Sequence, residues 1–264
     1  MIIDNDEIRE KVVALWQAGG LPKGDSTGWP SLDPFYTVGL SQWTLVTGVP
    51  NSGKSEWLDA LMVNLARRSN WKFWIYSPEN HPLELHHAKI IEKLVGKPFD
   101  LGPNERISLA ELNKAEDWMK GKFYFCKPDR PDILSILDES RDVSSVSGNW
   151  KTGVVIDPWN QLEHYRRVGL SETEYVSETL SYVIQRVREY GIHLWLVAHP
   201  AKMQKDRDGK YPIPTPRDIS GSAHFWNKGD NCITVHRDQV EGSQDVEVHV
   251  QKVRWKHIGK IGFT

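Results

Sequence analysis

The 264-residue sequence carries 33 Lys and Arg against 35 Asp and Glu, a formal net charge of −2, and 39% of its residues are hydrophobic. A chain of this size can bury a full core as one domain, and its charge balance excludes a bulk positive field, so polyanion binding has to come from local basic clusters. Cys126 and Cys232 stand far apart without metal-ligand spacing, and no apolar run nears the roughly 18 residues of a membrane span, so no disulfide, zinc site or transmembrane helix is expected.

The first element is a helix over 6–18, where Ile8, Val12, Val13, Leu15 and Trp16 recur at helical spacing. Gly19-Gly20 and then Pro22 stop it, so 1–23 reads as a helix and linker set apart from a domain over 24–264. From Trp43 onward, strand-like apolar runs at 43–47, 73–76, 122–126, 154–156 and 193–198 alternate with amphipathic helices. Ser171 and Glu174 form a capping box ahead of the apolar stripe Tyr175, Val176, Leu180, Val183, Ile184 and Val187. The alternation predicts an α/β fold whose twisted, mostly parallel central sheet is flanked by helices. Twelve Trp residues are many for this length, and most of them, including Trp43, Trp57, Trp71, Trp74 and Trp195, fall in expected elements and read as core. His81, His86 and His87 crowd one stretch without metal spacing and read as surface.

Gly48-Val49-Pro50-Asn51-Ser52-Gly53-Lys54-Ser55 fits the phosphate-loop pattern G-x-x-x-x-G-K-[ST], directly after one expected strand and before a helix over 56–66. In that setting backbone N–H groups and the helix N-terminus face phosphates, Lys54 reaches the terminal phosphates and Ser55 ligates Mg²⁺. The apolar run Gly153-Val154-Val155-Ile156 ends in Asp157, a second Mg²⁺ ligand. Pro158 follows Asp157, so the carboxylate base that many ATPases carry there has to come from elsewhere. Glu79, in Ser77-Pro78-Glu79-Asn80 after the neighbouring strand, is delivered to the same sheet edge and is the candidate to activate water. The charged stretch 202–217 is expected to be a loop in which Lys202, Lys205, Arg207, Lys210 and Arg217 outweigh Asp206 and Asp208, suited to a polyanion.

These segments together resemble the RecA superfamily, and more closely the motor domains of hexameric replicative helicases of the DnaB, phage primase-helicase and Twinkle type. Ser26-Thr27-Gly28-Trp29-Pro30-Ser31-Leu32-Asp33 is similar to the T-G-x-x-x-L-D signature ahead of their phosphate loop, and Ser77 to Asn80 to their catalytic-Glu motif. Leu194 to Pro200 looks like their sensor strand, which implies that His199 reads the γ-phosphate. Asp218-Ile219-Ser220-Gly221-Ser222-Ala223 with Lys228-Gly229-Asp230-Asn231 resembles the end of their DNA-binding loop and the entry to a further strand over 232–236, and Gly221 and Ser222 join the DNA-contacting set by that likeness. Gln251-Lys252-Val253-Arg254, with Gly259 and Gly262, is similar to their K-x-R…G-x-x-G ending, which implies that Arg254 is a finger on the neighbouring subunit's nucleotide with Lys252 beside it. The resemblance implies a DNA-stimulated ATP or dTTP hydrolase with Mg²⁺, a homo-hexameric ring on single-stranded DNA, a primase or polymerase of a replisome as partner, and the cytoplasm of a bacterium or phage-infected cell. It covers about 24–264 without a preceding primase or TOPRIM-like region, which fits a stand-alone motor or a piece of a longer primase-helicase. A RecA-type recombinase and a nucleotide-gated loader or switch are the alternatives.

Overall fold

The computed structural model describes residues 4–264 apart from 145–147, 202, 206, 208–210, 220–221 and 238–244, and of Ser222 the backbone alone. The sheet is built from β1 (Gln42–Thr47), β2 (Trp71–Tyr76), β3 (Phe123–Phe125), β4 (Lys151–Ile156), β5 (His193–Val197), β6 (Asn231–Arg237), β7 (Val246–Val253) and β8 (Gly262–Phe263). Their order is β3-β2-β4-β5-β1-β6-β7-β8. The pairs from β3 through β6 are parallel, while β7 and β8 add antiparallel at one edge. Every residue of β1 is buried, as a central parallel strand covered on both faces requires.

Two cores result, one on each face. Val46, Trp71, Phe73, Trp195 and Val197 join the layer that includes Trp57, Leu58 and Leu61 of α2 (Lys54–Arg68) and Ile90 and Ile91 of α3 (Leu83–Val95). Trp43, Leu45, Leu194 and Leu196 face the layer of Ile136 and Leu137 of α5 (Ile133–Ser144) and Leu180 and Val183 of α6 (Glu172–Glu189). The capping box at Ser171 and Glu174 starts α6, and a second, Ser108 with Glu111, starts α4 (Leu109–Met119). Both cysteines are buried free thiols. Among the described residues no helix is long and apolar enough to cross a membrane.

Polar tethers hold the pre-loop segment on this frame. Asp33 accepts from Ser26 Oγ at 2.6 Å, Thr27 N at 2.8 Å and Thr27 Oγ1 at 2.7 Å, so the T-G-x-x-x-L-D pattern is a closed turn. Gly28 belongs there because φ is +86° and a Cβ would sit 2.7 Å from the Asn64 side chain of α2. Asp25 accepts from Trp71 Nε1 and Lys151 Nζ, fastening the segment to β2 and β4. Below β1, His193 Nδ1 donates to Gly39 O at 2.6 Å, which leaves Nε2 to accept from Thr44 Oγ1 at 2.9 Å. Burial lowers the His193 pKa to about 4, so the ring is neutral.

In contrast, α1 (Asn5–Gln17) buries none of its residues, and Trp16 is 80% exposed. Its helix follows from the Asp4 cap, whose carboxylate accepts from Asp6 N and Glu7 N. Trp16, Trp150 and Trp255 are the tryptophans that lie at the surface, while Trp43, Trp57, Trp71 and Trp195 are core.

Candidate nucleotide site

The site forms where β1 ends. Residues 48–53 turn over the carboxyl edge of the sheet and α2 begins at Lys54, so its unpaired N–H groups point into the cleft. Gly48 is pressed so closely that a Cβ would lie 2.3 Å from Val235 O and 2.5 Å from Ser52 Oγ. Gly53 caps α2 in the left-handed region at φ +91°. The cleft, about 530 Å³, is lined by Pro50, Asn51, Gly53, Lys54, Ser55, Glu56, Glu79, Asn80, Lys89 and His199.

Within it Lys54 Nζ donates to Gly48 O and Val49 O, both at 3.0 Å, which folds the ammonium back over its own loop. Burial lowers the Lys54 pKa, and the charges of Asp157 and Glu79 oppose that shift. Ser55 Oγ donates to Asp157 Oδ2 at 2.5 Å. Asp157 is 2% exposed, burial raises its pKa, and its Oδ1 has no hydrogen-bond partner among the described residues. A hydroxyl, a carboxylate oxygen already paired to it and a second, unsatisfied carboxylate oxygen form a hard-oxygen set of the kind Mg²⁺ takes beside phosphates, so the residues fit that ion.

Glu79 comes from the turn between β2 and α3. Its Oε1 accepts from Gln161 Nε2 at 3.1 Å and lies 3.3 Å from His199 Nε2. His199 follows β5 and its N–H donates to Asn160 Oδ1 at 3.0 Å. Thus the ends of β1, β2, β4 and β5 bring Lys54, Ser55, Asp157, Glu79 and His199 to one edge, where ligands of open α/β sheets bind. Asn160 and Gln161 escaped notice in the sequence, although they follow Asp157 at the same strand end. Lys89 of α3, which donates to Asn80 Oδ1 at 3.3 Å and pairs with Glu56 at 3.0 Å, gave no local signal at all.

Arg254 and Lys252 are not brought to this cleft. β7 runs antiparallel to β6, with Val253 opposite Asn231, so Arg254 lies at the other edge of the sheet, about 20 Å away along the six residues of β1. There Arg254 Nη1 pairs with Asp230 Oδ1 at 3.1 Å, and Asp230 Oδ2 accepts from Trp43 N at 3.1 Å. Lys252 Nζ donates to Trp226 O and Asn227 O of α7 (Ser222–Lys228), and burial lowers its pKa.

The basic segment is partly described. Lys205, Arg207 and Arg217 are exposed, with Lys205 over the Tyr211 ring at 5.0 Å and Arg217 over Trp226 at 5.1 Å. Thr234 Oγ1 and Gln251 Nε2 both donate to Pro214 O, which pins the end of the segment to β6 and β7. Lys202, Lys210 and Gly221 lie outside the described residues, as does the side chain of Ser222.

One histidine differs from expectation. His86 is buried, 2% exposed, with Nε2 at 2.9 Å from Asp59 Oδ1 of α2. The reason is helix phase: Ile90, Ile91 and Leu94 set the inward face of α3, and His86 falls on that face. His87, one residue on, is half-buried and pairs with Glu116, while His81 is exposed as read.

Fold and site together define a RecA-like P-loop NTPase domain. No protein-family model matches the chain. Over 249 residues it is 42% identical to the Twinkle homolog protein, chloroplastic/mitochondrial, of Arabidopsis thaliana, an alignment that takes in 90% of this chain and 34% of that protein. The chain therefore spans about a third of the length of that curated relative. Among solved structures, a DnaB-like replicative helicase studied with primase superposes with a TM-score of 0.77 at 17% identity, over 99% of this chain and 65% of that one. A solved ATPase domain superposes with the same TM-score of 0.77 at 18% identity, over 99% of this chain and 95% of that one. The chain thus shares the fold of these two solved domains and is similar in sequence to about a third of the Twinkle homolog.

Proposed function

We propose that this chain is the NTP-hydrolysing motor of a ring-shaped DNA helicase that moves along single-stranded DNA during replication. The observation that carries the reading is the 42% identity to the Twinkle homolog, on a chain whose cleft gathers Lys54, Ser55, Asp157, Glu79 and His199 while Arg254 stands at the opposite sheet edge. Arg254 thus does not reach the cleft of its own subunit, and in a homo-hexameric ring a neighbouring copy supplies it.

In this reading the terminal phosphates of ATP or dTTP sit over the N-terminus of α2 and draw Lys54 Nζ off the Gly48 and Val49 carbonyls. Mg²⁺ would be held by Ser55 Oγ and Asp157, and when bound it neutralises phosphate charge and fixes phosphate orientation. Glu79 orients the attacking water and takes its proton, with Gln161 and His199 holding the carboxylate. His199 then registers the γ-phosphate through the same hydrogen bond. Arg254 leaves Asp230 to stabilise transition-state charge on the neighbour's nucleotide with Lys252 beside it, an effect worth about 10³–10⁵ in rate. Lys205, Arg207 and Arg217, with Lys202, Lys210, Gly221 and Ser222 of the same segment, track the DNA backbone in a salt-sensitive, sequence-tolerant way.

The absence of buried residues in α1 supports dividing the chain into 1–23 and 24–264. Primase as a partner rests on the DnaB-like helicase, whose structure concerns its interactions with primase, while polymerase rests on the sequence resemblance alone. The relative's name points to chloroplasts and mitochondria, so it lends no support to the bacterial or phage-infected cytoplasm expected from the sequence. The test is ATP and dTTP hydrolysis across a protein-concentration series, with and without single-stranded DNA. A rate that rises with both supports the ring motor. Turnover indifferent to DNA and to concentration points instead to a nucleotide-gated switch.

A further inference from the structure

The His86–Asp59 pair has no part in the chemistry above, yet it is a buried acid–base pair next to that chemistry. Both residues are 2% exposed, and the His86 ring is wedged edge-on against Phe125 with centroids 5.5 Å apart. Asp59 Oδ2 and His86 Nδ1 have no partner among the described residues. Such a pair is a poor way to stabilise a fold, because desolvating it costs about as much as the attraction returns, and apolar replacements of similar size are often neutral or better. What it can supply is a fixed position.

Its location says which position. Asp59 follows Ser55 by four residues on α2, so the two share a face one turn apart. His86 lies in the first turn of α3, and α3 continues directly from the 77–82 turn that presents Glu79. The other links at this end, Glu56 with Lys89 and Lys93, share a Glu56 carboxylate that is half open to water, where ion pairs contribute less. Arg67 Nη2 also donates to Leu94 O, but at the far ends of the two helices, so among the described residues the Asp59–His86 pair is the fully buried polar tie at the end that carries Ser55 and adjoins Glu79.

We infer that Asp59 and His86 are positioning residues, a strut that sets the distance between the water-activating Glu79 and the phosphate and Mg²⁺ groups at Lys54, Ser55 and Asp157. The inference rests on Glu79 being the group that activates water. Small displacements at such a site cost rate and leave ground-state binding largely alone.

The experiment uses the full chain with single-stranded DNA at saturating protein. An Asp59→Leu/His86→Leu double variant is expected to melt no lower than wild type, to bind a fluorescent ATP analogue within about twofold, and to lose about tenfold or more in kcat. His86→Gln, whose amide nitrogen reaches the Asp59 carboxylate where the imidazole Nε2 did, is expected to keep kcat within about threefold, whereas the shorter His86→Asn is expected to lose it like the double variant. If the double variant does not fold, the Gln against Asn comparison decides alone. A folded double variant with wild-type kcat, or Gln and Asn variants with equal kcat, overturns the strut. Glu79→Gln is measured alongside: full turnover there removes the reading of Glu79 on which the strut depends, while abolished turnover with an unaffected double variant removes the strut alone.

Discussion

Acid should weaken this fold at one identifiable residue. His193 is fully buried, donates to Gly39 and accepts from Thr44, and its pKa falls to about 4 in the folded chain. An unfolded chain would titrate that ring near 6.5. Between those values the unfolded state binds a proton that the folded state refuses, so stability is complete above about pH 6.5, falls as pH drops, and has lost its full increment near pH 4. A gap of that size, at 1.36 kcal/mol per pH unit, amounts to about 3 kcal/mol. His193→Asn keeps a donor for Gly39 and removes the titration. The assay is urea unfolding of both proteins from pH 7.5 to 4.5, read as the difference between the two stabilities, which cancels the other titrating groups. Wild type should be the more stable at neutral pH and lose most of about 3 kcal/mol relative to the variant across that range. Parallel stability curves would refute a neutral, buried His193.

Three further outcomes are expected at the site and its surface. Gly48→Ala puts a methyl 2.3 Å from Val235 O, so the loop has to shift, and binding of a fluorescent ATP analogue should fall at least tenfold in a protein that still folds. Glu79→Gln should keep analogue binding and lower steady-state hydrolysis by about 10²–10⁴. Arg217→Ala should weaken single-stranded DNA binding similarly for all sequences and reduce the slope of log affinity against log salt by about one, as fluorescence anisotropy at several salt concentrations would read it.

What could be read from the sequence was what local patterns encode. Apolar runs marked the strands that became β1 to β5, the family resemblance marked β6, and the Gly-rich turn between strand and helix marked the phosphate loop, because such patterns are set by residues adjacent in the chain. The order β3-β2-β4-β5-β1-β6 was not legible, since it is set by crossovers whose packing depends on distant residues. The same limit explains His86. Three histidines close together carry no sign of which one faces inward; that depends on the phase of α3 against α2, fixed by Ile90, Ile91 and Leu94. Asn160 and Gln161 are ordinary polar residues until β2, β4 and β5 lie side by side and place them against His199 and Glu79. Arg254 is the reverse case: its spacing from Lys252 was plain, but its separation from its own phosphate loop follows only from β7 running antiparallel to β6. The many tryptophans divided by context, with those in β1, β2 and β5 in the cores and Trp16 outside on a helix that buries nothing.

The proposed motor needs a cleft completed by a second copy of the chain, and mixing two inactive proteins tests that directly. Lys54→Ala cannot hold the terminal phosphates but carries an intact Arg254, and Arg254→Ala has an intact cleft but no finger to offer. Each alone should hydrolyse nucleotide at a small fraction of the wild-type rate. Mixed in varying ratio with single-stranded DNA, they should recover hydrolysis in proportion to interfaces that join an intact cleft to an intact finger. Full activity of Arg254→Ala alone, or no recovery in mixtures that cross-linking shows to have co-assembled, would contradict it.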